Sequence, residues 1–182
     1  VDAIIVADMG IFSLAKRVAP GLELHVSTQA STTNWHTVQM WKELGATRVV
    51  AAREVSLADL KEMKDHVDIE IESFVHGSMC ISYSGRCLLS NYMTGNRDAN
   101  RGQCSLVESN RPGEYYPIEE DEHGTYIFNS KDLCLIHRIP DLYEAGIDSL
   151  KIEGRMKSVH YCATVAKVYR TAIDTYLKEG KD

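Results

Sequence analysis

The chain has 182 residues, 44% hydrophobic and 25% charged, an ordinary composition for one globular domain with a sizeable core. Its formal net charge of -6 disfavours a general attraction to nucleic acid, so an RNA partner would need a local basic patch. No apolar run approaches the roughly 20 residues that span a bilayer, and the first residues lack the basic region of a secretory signal peptide. We therefore expect a cytoplasmic protein without a membrane partner.

As far as Val75, the chain alternates between apolar runs and segments with helical spacing. Because the apolar runs are continuous, they indicate strands of a buried parallel sheet, and the segments between them indicate crossover helices. The predicted strands are Ala3–Ala7, Leu22–Val26, Thr47–Ala51 and Val67–Val75. The predicted helices are Ile11–Val18, then Trp35–Leu44 between the cap Asn34 and the stop Gly45, and a helix from the cap Ser56 to Lys64.

The alternation breaks after this point. From Cys80 to about Glu114 the chain is rich in Ser, Gly, Asn and Arg, which predicts a long ordered loop of the kind that is usually functional. Tyr115–Ile118 and Thr125–Phe128 predict a β-hairpin. We therefore expect residues 77–128 to form a cysteine-rich loop and hairpin insertion.

Helix and strand signals return after the insertion. Asn129–Asp132 is predicted to open a helix that carries Cys134 and runs towards Gly146, with Pro140 as a kink or break. The remaining elements are a strand, Ser149–Ile152, and a long amphipathic helix, Val159–Glu179.

Five strand–helix units with an insertion before the last predict an α/β fold. Since a complete eight-unit barrel takes about 250 residues, we predict an incomplete (β/α) TIM-like barrel. It would form a single domain over residues 1–182 that lacks N-terminal units, in keeping with a chain that opens inside an apolar run. A missing unit would expose apolar strand faces, so we expect a homodimer or a partner subunit that completes the barrel.

Charged and amide residues recur near the ends of the predicted strands, where such folds build their active sites. Helix capping and loop solvation explain some of them equally well, including part of the segment Ser130–Asp132. For the others we expect a shared functional rim. Its candidate catalytic residues are Arg53, Glu72, His76, Glu153 and Arg155.

The five cysteines are an odd count for a disulfide framework, and without an export signal they suggest metal binding or catalysis. Six, sixteen and 29 residues separate Cys80, Cys87, Cys104 and Cys134 in turn, and no CxxC pair occurs, which disfavours a zinc ribbon or a ferredoxin run. Four such thiols can bind zinc or an iron–sulfur cluster, or can simply be small buried residues. Cys162, inside the last helix, fits the buried interpretation. A nucleophilic pair of His76 with Cys80 or Cys87 also stays open.

The stretch Glu72–Ser90 contains Glu72-x-Phe74-x-x-Gly77-Ser78-Met79-Cys80, four residues, then Gly85-x-Cys87-x-Leu89-Ser90. This long pattern resembles the signature of peptidase family U32, the collagenase-like peptidases of unknown catalytic type. Further segments that resemble the family are Ser27–Gln29, Arg53–Glu54, Asn129–Leu133 and Lys151–Ser158.

The resemblance implies a barrel-like α/β fold and several activities. Some members were described as collagen-degrading proteases, and others act in hydroxylation of tRNA wobble uridines with prephenate, of ribosomal RNA or of ubiquinone. In the hydroxylation branch four cysteines hold a [4Fe-4S] cluster, and the matching positions are Cys80, Cys87, Cys104 and Cys134. An aerobic preparation is expected to lose the cluster or to carry zinc instead.

The wobble-uridine hydroxylases resemble the chain most, around Asn129 and Lys151. The resemblance therefore implies an iron–sulfur-dependent enzyme that takes part in prephenate-dependent 5-hydroxylation of a tRNA uridine. Arginines of the cysteine insertion could contact RNA phosphates, namely Arg86, Arg97, Arg101 and Arg111. The alternatives are a collagenase-like peptidase and a non-catalytic subunit that needs a partner.

Overall fold

The computed structural model describes residues 1–79, 83–86, 132–155 and 157–179, and the backbone of 118–121 and 124–127. Its main element is a six-stranded sheet in an α/β arrangement. Five strands are parallel, in the spatial order β1 (Ala3–Val6), β2 (Glu23–Val26), β3 (Arg48–Val50), β4 (Glu70–Gly77) and β8 (Ser149–Ile152). An α/β fold with a sheet dominated by parallel strands is thus confirmed for the described residues.

Helices alternate with the parallel strands, as the sequence pattern predicted, and the last helix follows the last strand. They are α1 (Met9–Val18), α2 (Trp35–Leu44), α3 (Leu57–His66), α4 (Ile139–Glu144) and α5 (Val159–Glu179). Asn34 caps α2 by accepting from the Thr37 N–H, and Ser56 forms a capping box with Asp59 at the start of α3. In the described part of the chain, no helix is long and apolar enough to cross a bilayer.

The predicted hairpin is present, with the strands β5 (Ile118–Asp121) and β6 (Gly124–Ile127) paired antiparallel. The first hairpin strand was predicted to begin at Tyr115, which lies outside the described residues. Cys80, Cys87, Cys104 and the segment 129–131 also lie outside them.

The predicted helix through Cys134 is wrong. Leu133–Cys134 forms a short strand, β7, which pairs antiparallel with His76 and Gly77 at the end of β4. The polar residues before it resembled a helix cap, but the Asp132 carboxylate bonds to side chains on other elements instead. Pro140 lies in the first turn of α4, where its missing N–H costs nothing, and does not kink a longer helix.

The two faces of the sheet differ in chemistry. One face packs against the helices through apolar side chains, such as Val26, Val49 and Ile71 against Val38 and Met63. Alternate strand residues lie on the opposite face, because side chains along a strand point to opposite sides. On that face, neighbouring positions across β1 to β4 are Ile5, His25, Arg48 and Glu70. Across β4 and β8, Glu72 pairs with Ser149 and Phe74 pairs with Lys151. It is therefore rich in charge, which suits a functional surface better than a core.

Candidate functional site

Glu72 lies inside β4 on the charged face, and its side chain is 11% exposed. Its Oε1 accepts a hydrogen bond from Lys151 Nζ at 2.8 Å, and its Oε2 accepts one from Ser149 Oγ at 2.8 Å. Arg48 Nη1 lies 3.3 Å from the same Oε2. Residues of β3 and β8 thus converge on one buried carboxylate of β4, the strand between them.

The charges around Glu72 decide its protonation. Burial on its own raises the pKa of Glu72, but the hydrogen bond and charge of Lys151, helped by Ser149 and Arg48, outweigh burial and hold the pKa below its usual value. Burial lowers the pKa of Arg48, while Glu70 and Glu72 raise it by more, so its net shift is upward. Glu72 is therefore a fixed negative charge at neutral pH.

Arg53 follows the end of β3 and is half-buried. Its guanidinium carbon lies 4.6 Å from the centroid of the Phe74 ring, and Lys151 Nζ lies 5.5 Å from the same centroid. Two cations therefore share one aromatic ring, a favourable arrangement for each of them. The predicted site residues Arg53 and Glu72 are joined through Phe74 and Lys151.

The turn Tyr83–Arg86 lies against the segment that follows β3. Ser84 is 1% exposed, and its hydroxyl donates to the Glu54 carboxylate at 2.9 Å while accepting from the Arg53 N–H at 3.0 Å. The Ser84 N–H donates to the same carboxylate at 3.2 Å. We call these contacts of Ser84, Glu54 and the Arg53 backbone the Ser84 anchor.

Gly85 allows the close approach that the Ser84 anchor requires. Its φ of +74° is in the left-handed region, and a Cβ there would lie 2.1 Å from the backbone oxygen of Gln29. Any side chain at this position would push the turn away from the end of β2. The glycine of the family pattern therefore has a steric role in this chain.

Asp132, directly before β7, joins three other segments. Its Oδ1 accepts from Ser78 Oγ at 2.8 Å and from Lys157 Nζ at 3.0 Å, and its Oδ2 accepts from Tyr161 Oη at 2.5 Å. Ser78 follows β4, Lys157 follows β8, and Tyr161 lies in the first turn of α5. We call this set the Asp132 cluster.

The Asp132 cluster also shifts the protonation of its members. Burial raises the pKa of Asp132, but the hydrogen bonds from Tyr161, Ser78 and Lys157 outweigh it and lower the pKa to about 2. Burial, together with the hydrogen bond to Asp132, raises the pKa of Tyr161 to about 12. At neutral pH the pair is a carboxylate that accepts from a protonated phenol, which favours a fixed geometry over proton exchange.

His76 lies at the end of β4 beside the Asp132 cluster. Its ring packs against Tyr161 at a centroid distance of 5.9 Å and edge-on against Tyr169 at 5.5 Å. Its buried Nδ1 has no hydrogen-bond partner among the described residues. Cys134 is opposite His76 in the β4–β7 register and is exposed. The sheet thus places one predicted thiol ligand beside the strand end that leads to Cys80.

Glu153 and Arg155 follow β8 at the same edge of the sheet. Gly77 has a φ of +106°, and a Cβ there would lie 2.2 Å from the backbone oxygen of Glu153, so the two strand ends touch through their main chains. The Glu153 carboxylate accepts from the Arg155 N–H at 3.0 Å, and the Arg155 side chain is exposed. Both predicted residues therefore lie at this edge of the sheet, and Glu153 stabilises the turn.

Cys134 is the one predicted cluster ligand in the described part of the chain. There, no three His, Cys, Asp or Glu side chains lie close enough together to hold a metal ion. Cys162 is half-buried and its sulfur lies 3.5 Å from the Gly154 oxygen, in keeping with the predicted packing role.

Several residues that organise the site were not predicted from the sequence. These are Arg48, Ser84, Lys151 and Tyr161. One signal was present for Lys151: a charged residue between two apolar strand residues, Leu150 and Ile152, must face away from the helices. The contacts of Ser84 and Tyr161 join residues that are 29 or more positions apart, which a local pattern cannot reveal.

Comparisons with known proteins place the chain in a family. The model of peptidase family U32 matches residues 1–182. The chain is 53% identical to the "tRNA hydroxylation protein P1" of Bacillus subtilis, with all of this chain and 44% of that protein covered. It is 41% identical to the "tRNA hydroxylation protein P" of Escherichia coli, with 95% of this chain and 49% of that protein covered.

A third relative has a different kind of name. The chain is 42% identical to an "uncharacterized protease" of Methanocaldococcus jannaschii, with 97% of this chain and 45% of that protein covered. The chain thus spans about half the length of these relatives or slightly less. The resemblance drawn from Glu72–Ser90 is confirmed by the match over the whole chain, and the chain belongs to peptidase family U32.

Proposed function

We propose that this protein takes part in the hydroxylation of a tRNA uridine. The observation that carries the proposal is the position of Cys134, an exposed thiol opposite His76 at the strand end that leads to Cys80. The names of the Bacillus subtilis and Escherichia coli relatives support it, since both are called tRNA hydroxylation proteins. We also propose a cytoplasmic location, where the tRNA partner is found.

We further propose that Cys80, Cys87, Cys104 and Cys134 hold a [4Fe-4S] cluster, with prephenate as a co-substrate. Thiolates are the ligands that such clusters require, and an exposed thiol at the sheet edge is accessible to one. A bound cluster would supply one-electron chemistry. The role of the described residues would be to position it: Asp132 connects the strand of Cys134 to Ser78, which precedes Cys80 by two residues.

For the fold, we propose that the five parallel strands are part of a (β/α) barrel whose interior is the charged face. In a barrel this face would be enclosed, which suits its hydrogen-bonded ion pairs around Glu72. Residues at the strand ends, including Arg53 and Glu153, would then line the mouth of the barrel. We also propose that a homodimer or a partner subunit completes the barrel.

The peptidase alternative has support from the family name and from the relative named as a protease. In that alternative a thiol would attack a peptide bond with His76 as its base. The two functions make opposite demands on the thiols, because a cluster needs them as ligands and a peptidase needs one of them free.

Two cysteine variants test the proposal. In full-length protein prepared without oxygen, we expect Cys134→Ala to remove most of the bound iron and the visible absorption of the cluster. It should also abolish hydroxyuridine in tRNA from complemented cells, measured by mass spectrometry. Cys162→Ala is the matched control, because its thiol packs against Gly154, and it should retain both signals.

Wild-type protein without iron, together with normal tRNA hydroxylation in the Cys134→Ala strain, would contradict the proposal. Cleavage of casein or collagen that depends on His76 and a free thiol would favour the peptidase instead.

A further inference from the structure

We propose that Arg53, held over Phe74, is the centre of a binding site for one anionic group, a carboxylate or a phosphate. The site lies where β3 ends, next to the charged face of the sheet. The choice between the two ligand sources rests on the proposed function, which offers a small carboxylate co-substrate and an RNA backbone. The existence of the site rests on the contacts of Arg53.

Among the residues that the structure describes, the Arg53 side chain has no carboxylate partner of the kind that neighbouring cations have. Arg48 is paired with Glu70 at 2.7 Å, and Lys151 is paired with Glu72 at 2.8 Å. Within the described ranges, no carboxylate forms an ion pair with Arg53. Its guanidinium lies over the Phe74 ring, which attracts the positive charge but provides no carboxylate oxygens for the guanidinium N–H groups. No carboxylate of the described residues therefore occupies these donors, which leaves them for a ligand.

The nearest acidic residue in sequence, Glu54, is directed elsewhere. Its carboxylate accepts from both the hydroxyl and the N–H of Ser84. The Ser84 anchor thus holds the Glu54 carboxylate in hydrogen bonds with Ser84. It also fixes the Arg53 backbone, because the Arg53 N–H donates to Ser84 Oγ. An arginine with a fixed backbone and an aromatic support needs little ordering when it binds a ligand.

The chemistry of the site selects oxyanions. The planar guanidinium matches the two oxygens of a carboxylate or phosphate, and it forms charge-assisted hydrogen bonds with them. Lys151 Nζ, over the same ring, adds a second positive charge beside the ligand while it holds Glu72. A neutral acceptor would form weaker hydrogen bonds than an anion, and a cationic ligand would be repelled.

The test compares variants of the full-length protein, prepared without prior addition of a cluster. The small-molecule probes are malonate and inorganic phosphate, titrated by calorimetry, and the RNA probe is a short labelled oligonucleotide, followed by fluorescence anisotropy. The variants are Arg53→Gln, Arg53→Lys and the control Arg170→Gln. Arg170 is an exposed arginine of α5 that pairs with Asp174, so it resembles Arg53 in charge but not in position.

We expect Arg53→Gln to weaken binding of the preferred probe by about tenfold or more, the usual effect of losing hydrogen bonds to a charged group. The affinity of Arg53→Lys should lie between those of the wild type and Arg53→Gln, because lysine keeps the charge but lacks the planar pair of N–H donors. The affinity of Arg170→Gln should match that of the wild type. A loss confined to malonate assigns the site to a small carboxylate. A loss for phosphate and the oligonucleotide assigns it to an RNA phosphate.

Equal affinities of the wild type and Arg53→Gln for all three probes would contradict the proposed anion site. A wild type that binds none of the probes would contradict it as well. Circular dichroism confirms that each variant is folded before titration. The outcome is separable from the proposed function. Protein that binds these anions through Arg53 but yields no hydroxyuridine would overturn the function and leave the site standing.

Discussion

The two carboxylates that organise the described part of the chain are held in different ways. Glu72 lies inside a strand and is neutralised by cations from the strands on either side, Arg48 and Lys151. Asp132 lies at the edge of the sheet and is held by two hydroxyl groups and one lysine, which come from three separate segments.

The difference shows how one fold uses similar groups for separate purposes. Around Glu72, burial demands compensation of charge, so its partners are mainly cations. Asp132 instead holds several chain segments together, and its partners form directional hydrogen bonds with it. The Glu72 network supports the sheet and the ring that holds Arg53, whereas the Asp132 cluster determines where the strand of Cys134 lies.

The largest expected effect comes from removing a cation from Glu72. Lys151→Met keeps the length of the side chain but leaves the carboxylate with Arg48 and Ser149 alone. Removing one partner of a buried ion pair costs about 3 kcal/mol or more, and the remaining Arg48 and the partial exposure of Lys151 reduce this cost. We therefore expect a loss that approaches about 3 kcal/mol in the free energy of unfolding. Urea denaturation of the full-length protein, followed by circular dichroism, measures it.

The control for this variant is Lys61→Met, which breaks the exposed pair with Asp65 in α3. It should change the free energy of unfolding by less than about 0.5 kcal/mol. If Lys151→Met and Lys61→Met lost the same free energy of unfolding, burial would not be what makes the Glu72 pair important for stability.

A smaller effect, which depends on pH, is expected from Asp132. Its pKa falls from an ordinary 3.8 to about 2 in the folded protein, so the unfolded chain takes up the proton first as pH decreases. The stability that it contributes is complete above about pH 4 and is lost as pH falls towards 2. We expect Asp132→Asn to be less stable at neutral pH and to lose less stability than the wild type across this window.

Unfolding curves at several pH values between 5 and 2 test the prediction for Asp132, with roughly one unit between points. Parallel acid dependences for the wild type and Asp132→Asn would show that the Asp132 cluster does not hold the carboxylate in its charged form.

The smallest effect is expected from Tyr161→Phe, which removes one of the three donors to Asp132 and keeps the ring beside His76. A single hydrogen bond to a charged group contributes about 1.5 kcal/mol or slightly more, and the two remaining donors soften its loss. Hydrogen exchange should increase at Leu135, close to β7, more than in α2, since the change loosens the attachment of β7. A uniform increase over both segments would instead indicate a general loss of stability.

Much of the fold follows from local patterns, and the site does not. Trp35–Leu44 and Ser149–Ile152 were predicted with their observed bounds, because caps and apolar runs act over a few residues. The strand at Cys134 was predicted as a helix, because its pairing with His76 spans 58 positions and leaves no local signal. Glu72 was singled out as a charged residue near the end of a predicted strand. It lies inside β4 instead, and the sequence does not show which residues are its partners.

The Ser84 anchor has a consequence for chain entropy. Of the six residues between Cys80 and Cys87, the turn Tyr83–Arg86 is fixed at its centre, and Ser78, two residues before Cys80, is bound to Asp132. Each of these cysteines is therefore within three residues of a fixed point in the chain. If both bind the proposed cluster, these fixed points limit the length of chain whose conformational entropy is lost on binding.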